Sequence, residues 1–297
     1  MTKKIIIGSR GSKLAITQTK YVAEQIRKYD NEIEIEIKII KTTGDKLMVA
    51  LHKAPERGLF VKEIEEALLN KDIDLAVHSM KDIPSESPDE LTIFAVPVRE
   101  DPSDVIVPRK GISIDNTKDI LPNSIFATSS LRRISLITKL SNEFKTVDIR
   151  GNIDTRLKKL DDGLCDYLLM ANAALRRLKI ERHTLSLDPF EFVPAVGQGA
   201  LAIQGRKEDL DDYAGIIKFL DDFDTKRCTD IERRVLELIG GGCQIPFGCY
   251  VHPINNKIFK VAAFINKYDN IKQVLFEVDS NKNKNEVADE IYKKLFS

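Results

Sequence analysis

Pro194-Ala195-Val196-Gly197-Gln198-Gly199-Ala200, followed by Leu201-Ala202-Ile203, is the stretch on which the fold turns. Two glycines around one glutamine, just after a proline, make a segment suited to crossing between layers and unsuited to forming a core. The apolar triplet after it is a strand too short to found a new domain, so its simplest destination is a sheet already laid down. That earlier sheet is legible upstream. Ile5-Ile6-Ile7 reads as a buried strand, and residues 13–29 carry Leu14, Tyr21, Val22 and Ile26 at near-helical spacing. Residues 32–40 alternate, with Ile33, Ile35, Ile37 and Ile39 on one face and charged residues on the other, which predicts a half-buried strand. A helix over 60–69 and an apolar strand over 73–77 follow. Strand and helix in turn predict an α/β layer with parallel strands.

The pattern restarts after the charged, proline-broken crossing Arg99-Glu100-Asp101-Pro102-Ser103-Asp104. Strands are expected over 105–107, 125–128, 146–149 and 167–170, with helices starting near Leu131, Ile153 and Ala173. Two crossings between the same two α/β domains make a hinge with a ligand cleft, as in two-lobed binding proteins. The expected division is residues 1–100 for the first domain, with 200–220 returning to it, and 101–199 for the second. Residues 221–297 form a small α+β domain: a helix over 225–239, strands over 257–264 and 273–278, and a helix over 285–295.

Composition narrows the function. The 297 residues are 42% hydrophobic, enough for ordinary globular cores. Forty-six basic and 46 acidic residues cancel, which argues against a chain committed to nucleic acid or an anionic membrane, so any anion site must be local. No apolar run approaches the roughly 20 residues of a membrane span, and Met1-Thr2-Lys3-Lys4 leads into a strand rather than a signal-peptide core. A soluble cytoplasmic protein is expected. Cys165, Cys228, Cys243 and Cys249 show no CxxC spacing and read as reduced thiols, and no metal site is expected from Cys243, Cys249 and His252. GxGxxG, Walker-type and HExxH motifs are absent.

Local anion sites are suggested at two helix starts. Ser129-Ser130-Leu131-Arg132-Arg133 follows a strand, with Ser129 or Ser130 as N-cap. Its arginines then sit where the helix dipole is already positive, either fanned into solvent or compensated by a bound anion. Arg150-Gly151-Asn152-Ile153-Asp154-Thr155-Arg156 repeats the arrangement, and Arg177 follows the next strand. Guanidinium groups hold carboxylates by paired hydrogen bonds, so arginines converging on one strand-end crevice imply a polycarboxylate or polyphosphate ligand. Arg10 and Ser12, after the first strand, are placed to face them across the hinge. Asp82, in Ser79-Met80-Lys81-Asp82-Ile83-Pro84, is either a turn aspartate or a carboxylate that stabilises positive charge forming in a substrate. His78 is a base or a packed polar residue. In Gly241-Gly242-Cys243-Gln244-Ile245-Pro246 the glycines and proline present one thiol at a bend; Cys249, six residues on, is its rival.

These segments, with Arg10-Gly11-Ser12, Leu14-Ala15, Gln18, Gly58-Leu59-Phe60-Val61-Lys62-Glu63, Arg150-Gly151-Asn152 and Val196-Gly197-Gln198-Gly199-Ala200, resemble the porphobilinogen deaminase (hydroxymethylbilane synthase) family in order and spacing over nearly the whole chain. The resemblance implies two hinged, doubly wound α/β domains like those of two-lobed periplasmic binding proteins, plus a small C-terminal α+β domain. It implies a monomeric transferase of tetrapyrrole (haem) biosynthesis that condenses four porphobilinogens head to tail, through oligopyrrole intermediates, releasing ammonia. The implied cofactor is a dipyrromethane held by a thioether to Cys243, reaching the cleft between the other two domains. Asp82 is the implied catalytic carboxylate, stabilising a cationic azafulvene. Lys81, Asp82, Ser129, Arg132, Arg133, Arg150 and Gly151 are the implied cofactor contacts, and Arg10, Ser12, Phe60, Ser79, Arg150, Arg156, Ala171, Arg177 and Gln198 the implied substrate contacts.

The chain departs from the family pattern at Lys53-Ala54-Pro55-Glu56-Arg57, where a glycine- and lysine-rich segment is usual, and at Leu238 and Gly240, where a basic and an acidic residue are common. Arg176 stands beside Arg177 as the alternative for that position. The competing reading from another class is a non-catalytic two-lobed protein that binds a polycarboxylate, which has no need of Cys243 or Asp82.

Overall fold

The computed structural model describes residues 4–46, 60–241, 245–267 and 270–297. In chain order the elements are β1 (Lys4–Arg10), α1 (Lys13–Tyr29), β2 (Glu34–Ile40), α2 (Thr43–Lys46), α3 (Lys62–Leu69), β3 (Leu75–Ser79) and β4 (Leu91–Ala95). Next come β5 (Asp104–Pro108), β6 (Ile125–Ala127), α4 (Leu131–Leu140), β7 (Lys145–Val147), α5 (Ile153–Asp161), β8 (Tyr167–Ala171), α6 (Asn172–Arg177) and β9 (Leu185–Ser186). The chain continues with β10 (Leu201–Arg206), α7 (Ala214–Leu220), α8 (Phe223–Leu238), β11 (Phe247–Asn255), β12 (Ile258–Lys267), β13 (Asn270–Asp279) and α9 (Lys284–Phe296).

Two compact units result, and the chain passes from one to the other after Glu100, after Val196 and inside α8, after Asp230. The first holds a five-stranded sheet in the order β2-β1-β3-β10-β4. The three isoleucines of β1 show how it is built. Successive strand residues face opposite sides, so Ile5 and Ile7 join Val22, Ala23 and Ile26 of α1, while Ile6 packs with Ile64 and Leu68 of α3. Each fully buried isoleucine contributes on the order of 1.5–3 kcal/mol. The β2-β1-β3 strands are parallel, but β10 runs antiparallel to both β3 and β4, with Ile203 opposite Val77 and Ala95. The sheet is therefore mixed rather than purely parallel. Of the alternating isoleucines, Ile33, just before β2, is buried but Ile39 within it is 47% exposed, because β2 is the sheet edge and its far end has less covering.

The second unit has a five-stranded sheet in the order β7-β6-β8-β5-β9, parallel across β7-β6-β8 and antiparallel at β5. All of β5 is buried, since it lies between two strands and is covered on both faces. Val105 and Val107 pack with Leu160 of α5 and Leu175 of α6, and Ile106 packs with Leu136 and Ile137 of α4. The same cluster takes in Tyr250, Ala262 and Phe264 from an antiparallel β11-β12-β13 sheet. That sheet is covered in turn by α9, whose Val287, Ile291 and Leu295 are buried. Glu232 of α8 accepts the backbone N–H of Val251 at 3.0 Å.

Candidate active site: a carboxylate recess and an arginine-bearing strand edge

In the first unit the site is assembled at the ends of β1 and β3. β1 stops at Arg10, and Ser12 then caps α1, its Oγ accepting the Ala15 N–H at 3.2 Å. β3 stops at Ser79 and tightens into a 3-10 turn over Met80–Asp82, closed by the Ile83 N–H on the Met80 carbonyl at 3.1 Å. The turn is pinned from the opposite strand, because Met80 N–H donates to Ala200 O at 3.0 Å. An open recess results, lined among others by Arg10, Ser12, Phe60, His78, Ser79 and Asp82. The Asp82 side chain is 36% exposed and lies 3.9 Å from Arg10 Nη1. The Arg10 guanidinium stands 4.1 Å from the centroid of the Phe60 ring, a cation–π contact that helps hold it in place. Ser79 Oγ and the Gln18 amide meet at 2.9 Å, and Lys81 Nζ donates to Gln198 Oε1 at 3.3 Å.

Gln198 is buried between two glycines with left-handed backbone, Gly197 at φ +68° and Gly199 at +89°. A Cβ on Gly197 would come within 2.7 Å of Met80 Cγ, so this glycine is fixed by close approach to the 3-10 turn as well as by its φ. Arg99 Nε donates to the Gln198 carbonyl at 2.8 Å, so Gln198 is held at both its backbone and its side chain. His78 is not an exposed base. Its Nε2 lies 3.0 Å from Gln204 Oε1, and burial pushes its pKa down to about 4.

In the second unit the arginine motifs follow the carboxyl ends of the parallel strands β6, β7 and β8, the side on which such sheets bind ligands. Ser129 bridges two of those ends: its Oγ donates to Ile149 O at 2.9 Å and accepts Ile149 N–H at 3.2 Å. Ser130, not Ser129, caps α4. The arginine pair there does not fan into solvent. Arg133 donates through Nε and Nη2 to Asp104 Oδ1, at 3.0 and 2.7 Å, and through Nη1 to Leu169 O at 3.1 Å. Arg132 Nη2 lies 2.7 Å from Asp104 Oδ2, and its Nη1 donates to Val193 O at 2.7 Å. The helix-start argument for an anion is thus corrected at these two residues: Asp104 supplies the compensating charge. Burial alone would push the Asp104 carboxyl up, but the two guanidiniums outweigh it and hold it at about 2.

Arg150 is different. Nε and Nη2 are buried without a hydrogen-bond partner among the described residues, and burial pushes its pKa down while Asp148 offsets part of the effect. Gly151 has φ +109°, and its carbonyl accepts from Arg156 Nε at 2.8 Å. Ala171 is buried at the β8–α6 junction. Arg176 is exposed with Asp101 at 4.0 Å, whereas Arg177 is half-buried at the end of α6. Cys165, Cys228 and Cys249 are all buried and none is in a disulfide, and burial pushes the Cys165 thiol up to about 11. Cys243 and the Lys53–Arg57 departure lie outside the described residues. No cluster of metal-ligating side chains occurs among the described residues.

Two family models match in sequence. The one described as "Porphobilinogen deaminase, dipyromethane cofactor binding domain" covers residues 5–213, and the one described as "Porphobilinogen deaminase, C-terminal domain" covers 226–296. The chain belongs to the porphobilinogen deaminase family. It is 41% identical to the porphobilinogen deaminase of Bacillus mycoides (strain KBAB4) over 98% of this chain and 95% of that one. The enzyme of Chlorobaculum tepidum is likewise 41% identical, over 91% of this chain and 85% of its own, and that of Syntrophobacter fumaroxidans 43%, over 87% and 83%. Among solved structures, the methionine binding protein MetQ superposes with a TM-score of 0.46 at 11% identity, covering 75% of this chain and 92% of that one.

The chemistry of the described residues fits the group that the family's first domain is described as binding. A dipyrromethane from two porphobilinogens carries several carboxylates, and Arg150 offers two buried N–H donors that the described residues leave unmatched. The residue that sequence reading missed is Asp104. Its signal was available: an acidic residue opening a strand that is otherwise continuously apolar, Val105-Ile106-Val107.

Proposed function

We infer that this chain is a transferase that joins four porphobilinogens head to tail into hydroxymethylbilane, releasing one ammonia per substrate, in tetrapyrrole synthesis. The observation that carries the catalytic assignment is the half-exposed Asp82 carboxylate, on a pinned 3-10 turn in a recess shared with Arg10, Ser12 and Phe60. Breaking the aminomethyl C–N bond expels ammonia and leaves positive charge on the substrate. A carboxylate fixed in advance beside that charge lowers the barrier without reorganising. Arg10 and Ser12 are placed to hold the substrate's acetate or propionate, with Phe60 presenting an apolar ring to the pyrrole. Arg150, Arg156, Ser129 and Lys81 are the proposed contacts to the remaining carboxylates of cofactor and substrate.

The dipyrromethane, when bound, supplies the free pyrrole carbon on which the chain is extended. Its attachment through a thioether to Cys243 is supported by elimination, since the other three cysteines are buried and Cys249 lies inside β11 opposite Ala263. A monomeric, cytoplasmic enzyme is the accompanying proposal, consistent with there being no described helix long and apolar enough to cross a membrane.

Intact-protein mass tests the cofactor assignment. It is expected to exceed the sequence mass by two porphobilinogens less two ammonias, with the increment on the Cys243 peptide. Cys243→Ser loses increment and activity, and Cys249→Ser keeps both; an unmodified but fully active protein overturns the assignment. Asp82→Asn retains size but not charge, and its kcat is expected to fall by at least about 100-fold. Turnover near that of the unaltered enzyme would return Asp82 to the role of a turn residue.

A further inference from the structure

The first unit buries a row of three polar side chains that the reaction, as described above, does not use. Gln204 of β10 donates from Nε2 to Glu65 Oε1 at 2.9 Å, and its Oε1 faces His78 Nε2 at 3.0 Å. All three residues are buried. The row has a fixed direction. A carboxylate oxygen only accepts, so the Gln204 amide must turn its NH₂ toward Glu65; its oxygen then meets His78, and only an Nε2–H can satisfy it. Nδ1 is left as the acceptor of the neutral ring.

His78 stands on β3 four residues before Asp82 and lines the same recess as Asp82, Arg10 and Phe60. Charged groups surround the ring on several elements: Arg10 at the end of β1, Asp82 on the 3-10 turn, and Glu65 on α3 at one remove. β10 presents the neutral Gln204. Burial is the main influence holding the ring unprotonated, Arg10 adds to it, and the Gln204 hydrogen bond opposes both.

We propose that His78 is a positioning residue of this reaction: the Glu65–Gln204 row fixes it as the neutral Nε2–H tautomer, so that this wall of the recess adds no positive charge while a cation develops near Asp82. The proposal rests on the reading of Asp82 as the charge-stabilising carboxylate. An imidazolium in the same recess would repel both the substrate's ammonium and the developing cation, a Coulomb effect of roughly tenfold or more in rate for unit charges a few ångströms apart.

The first test is ¹⁵N-resolved histidine NMR on the intact protein, with His78 assigned by its loss in His78→Gln. The expected spectrum shows a neutral ring protonated at Nε2 from pH 6 to 8; an Nδ1–H tautomer or an imidazolium in that window overturns the proposal. This readout needs no turnover, so it stands apart from Asp82→Asn, whose normal activity would remove the reading of Asp82 and leave the tautomer untouched. The second test exchanges the first two members of the row, Glu65→Gln with Gln204→Glu, which keeps the charge count and sets a carboxylate directly against Nε2, favouring the imidazolium. Its kcat is expected to drop about tenfold or more between pH 8 and pH 6 relative to the unaltered enzyme, and adding His78→Gln to the exchange should abolish that new acid limb. A pH profile unchanged by the exchange, with His78 charged in the spectrum, overturns the proposal. Should the exchanged variant not fold, the tautomer measurement decides alone.

Discussion

The starts of α4 and α5 look alike in sequence, each a strand end followed by a polar cap and a pair of arginines. At α4 the arginines close on Asp104, with side chains 6% and 9% exposed, and make a buried cation–anion–cation cluster. At α5, Arg150 keeps two buried N–H groups that none of the described residues satisfies. The difference is not in the arginines or their caps. It is made by one carboxylate 29 residues upstream of Arg133, and it separates two cations with a buried counter-charge from one whose Nε and Nη2 have no hydrogen-bond partner among the described residues.

The sharpest way to break this comparison is Asp104→Asn, which leaves two buried guanidiniums without their counter-charge. A loss of about 3–5 kcal/mol in denaturant-measured stability is expected, as when one member of a buried ion pair is removed. A loss under about 1 kcal/mol would mean that the cluster does not support the second unit.

Acid sets the two units apart in a second way. The folded His78 pKa is depressed from 6.5 to about 4, so the unfolded chain binds the extra proton; its stabilisation is complete above pH 6.5 and is lost as pH falls toward 4, about 3 kcal/mol in all. Asp104 is depressed from 3.8 to about 2, so its contribution is complete above pH 3.8 and is lost only as pH falls through 2, about 2 kcal/mol. Urea midpoints followed from pH 7 to pH 4 should therefore fall in the unaltered protein and fall less in His78→Gln. Equal slopes would dissociate His78 from the acid limb.

The smallest stability effect belongs to Arg150→Leu, expected within about 1 kcal/mol of the unaltered protein because no internal hydrogen bond of the guanidinium is lost. The same variant should lose turnover or the cofactor mass increment. Normal catalysis would erase the contrast between the two helix starts.

Where periodicity was sustained, sequence was a good guide: α4 and α5 begin at Leu131 and Ile153 as expected, and α8 and α9 lie within two residues of the expected spans. β4 and β11 escaped it. β4 is a short apolar run whose pairing partner, β10, is over 100 residues away, so nothing local marks it as paired. β11 contains Gly248 and Pro253, which read as breakers. Yet Gly248 is there for close approach, since a Cβ would meet Pro194 O at 2.7 Å and Val193 O at 2.8 Å. In the site, Asp82 and the arginines were visible by type and spacing. Asp104 was hidden in what looked like a charged crossing, and the choice between base and packed residue at His78 depended on Gln204, which no local pattern connects to it.

The place of β10 between β3 and β4 has a consequence for how the protein is made. A ribosome releases β3 and β4 early, but the strand that joins them emerges about 100 residues later, after every strand of the second five-stranded sheet. During translation the nascent first sheet is open at β3, and β4 has no neighbour to pair with. The second sheet meanwhile has all its strands and can close. The order of synthesis is therefore not the order of completion: the five-stranded sheet that begins first is completed second, and its strand edges at β3 and β4 stay unpaired until Leu201–Arg206 has left the exit tunnel.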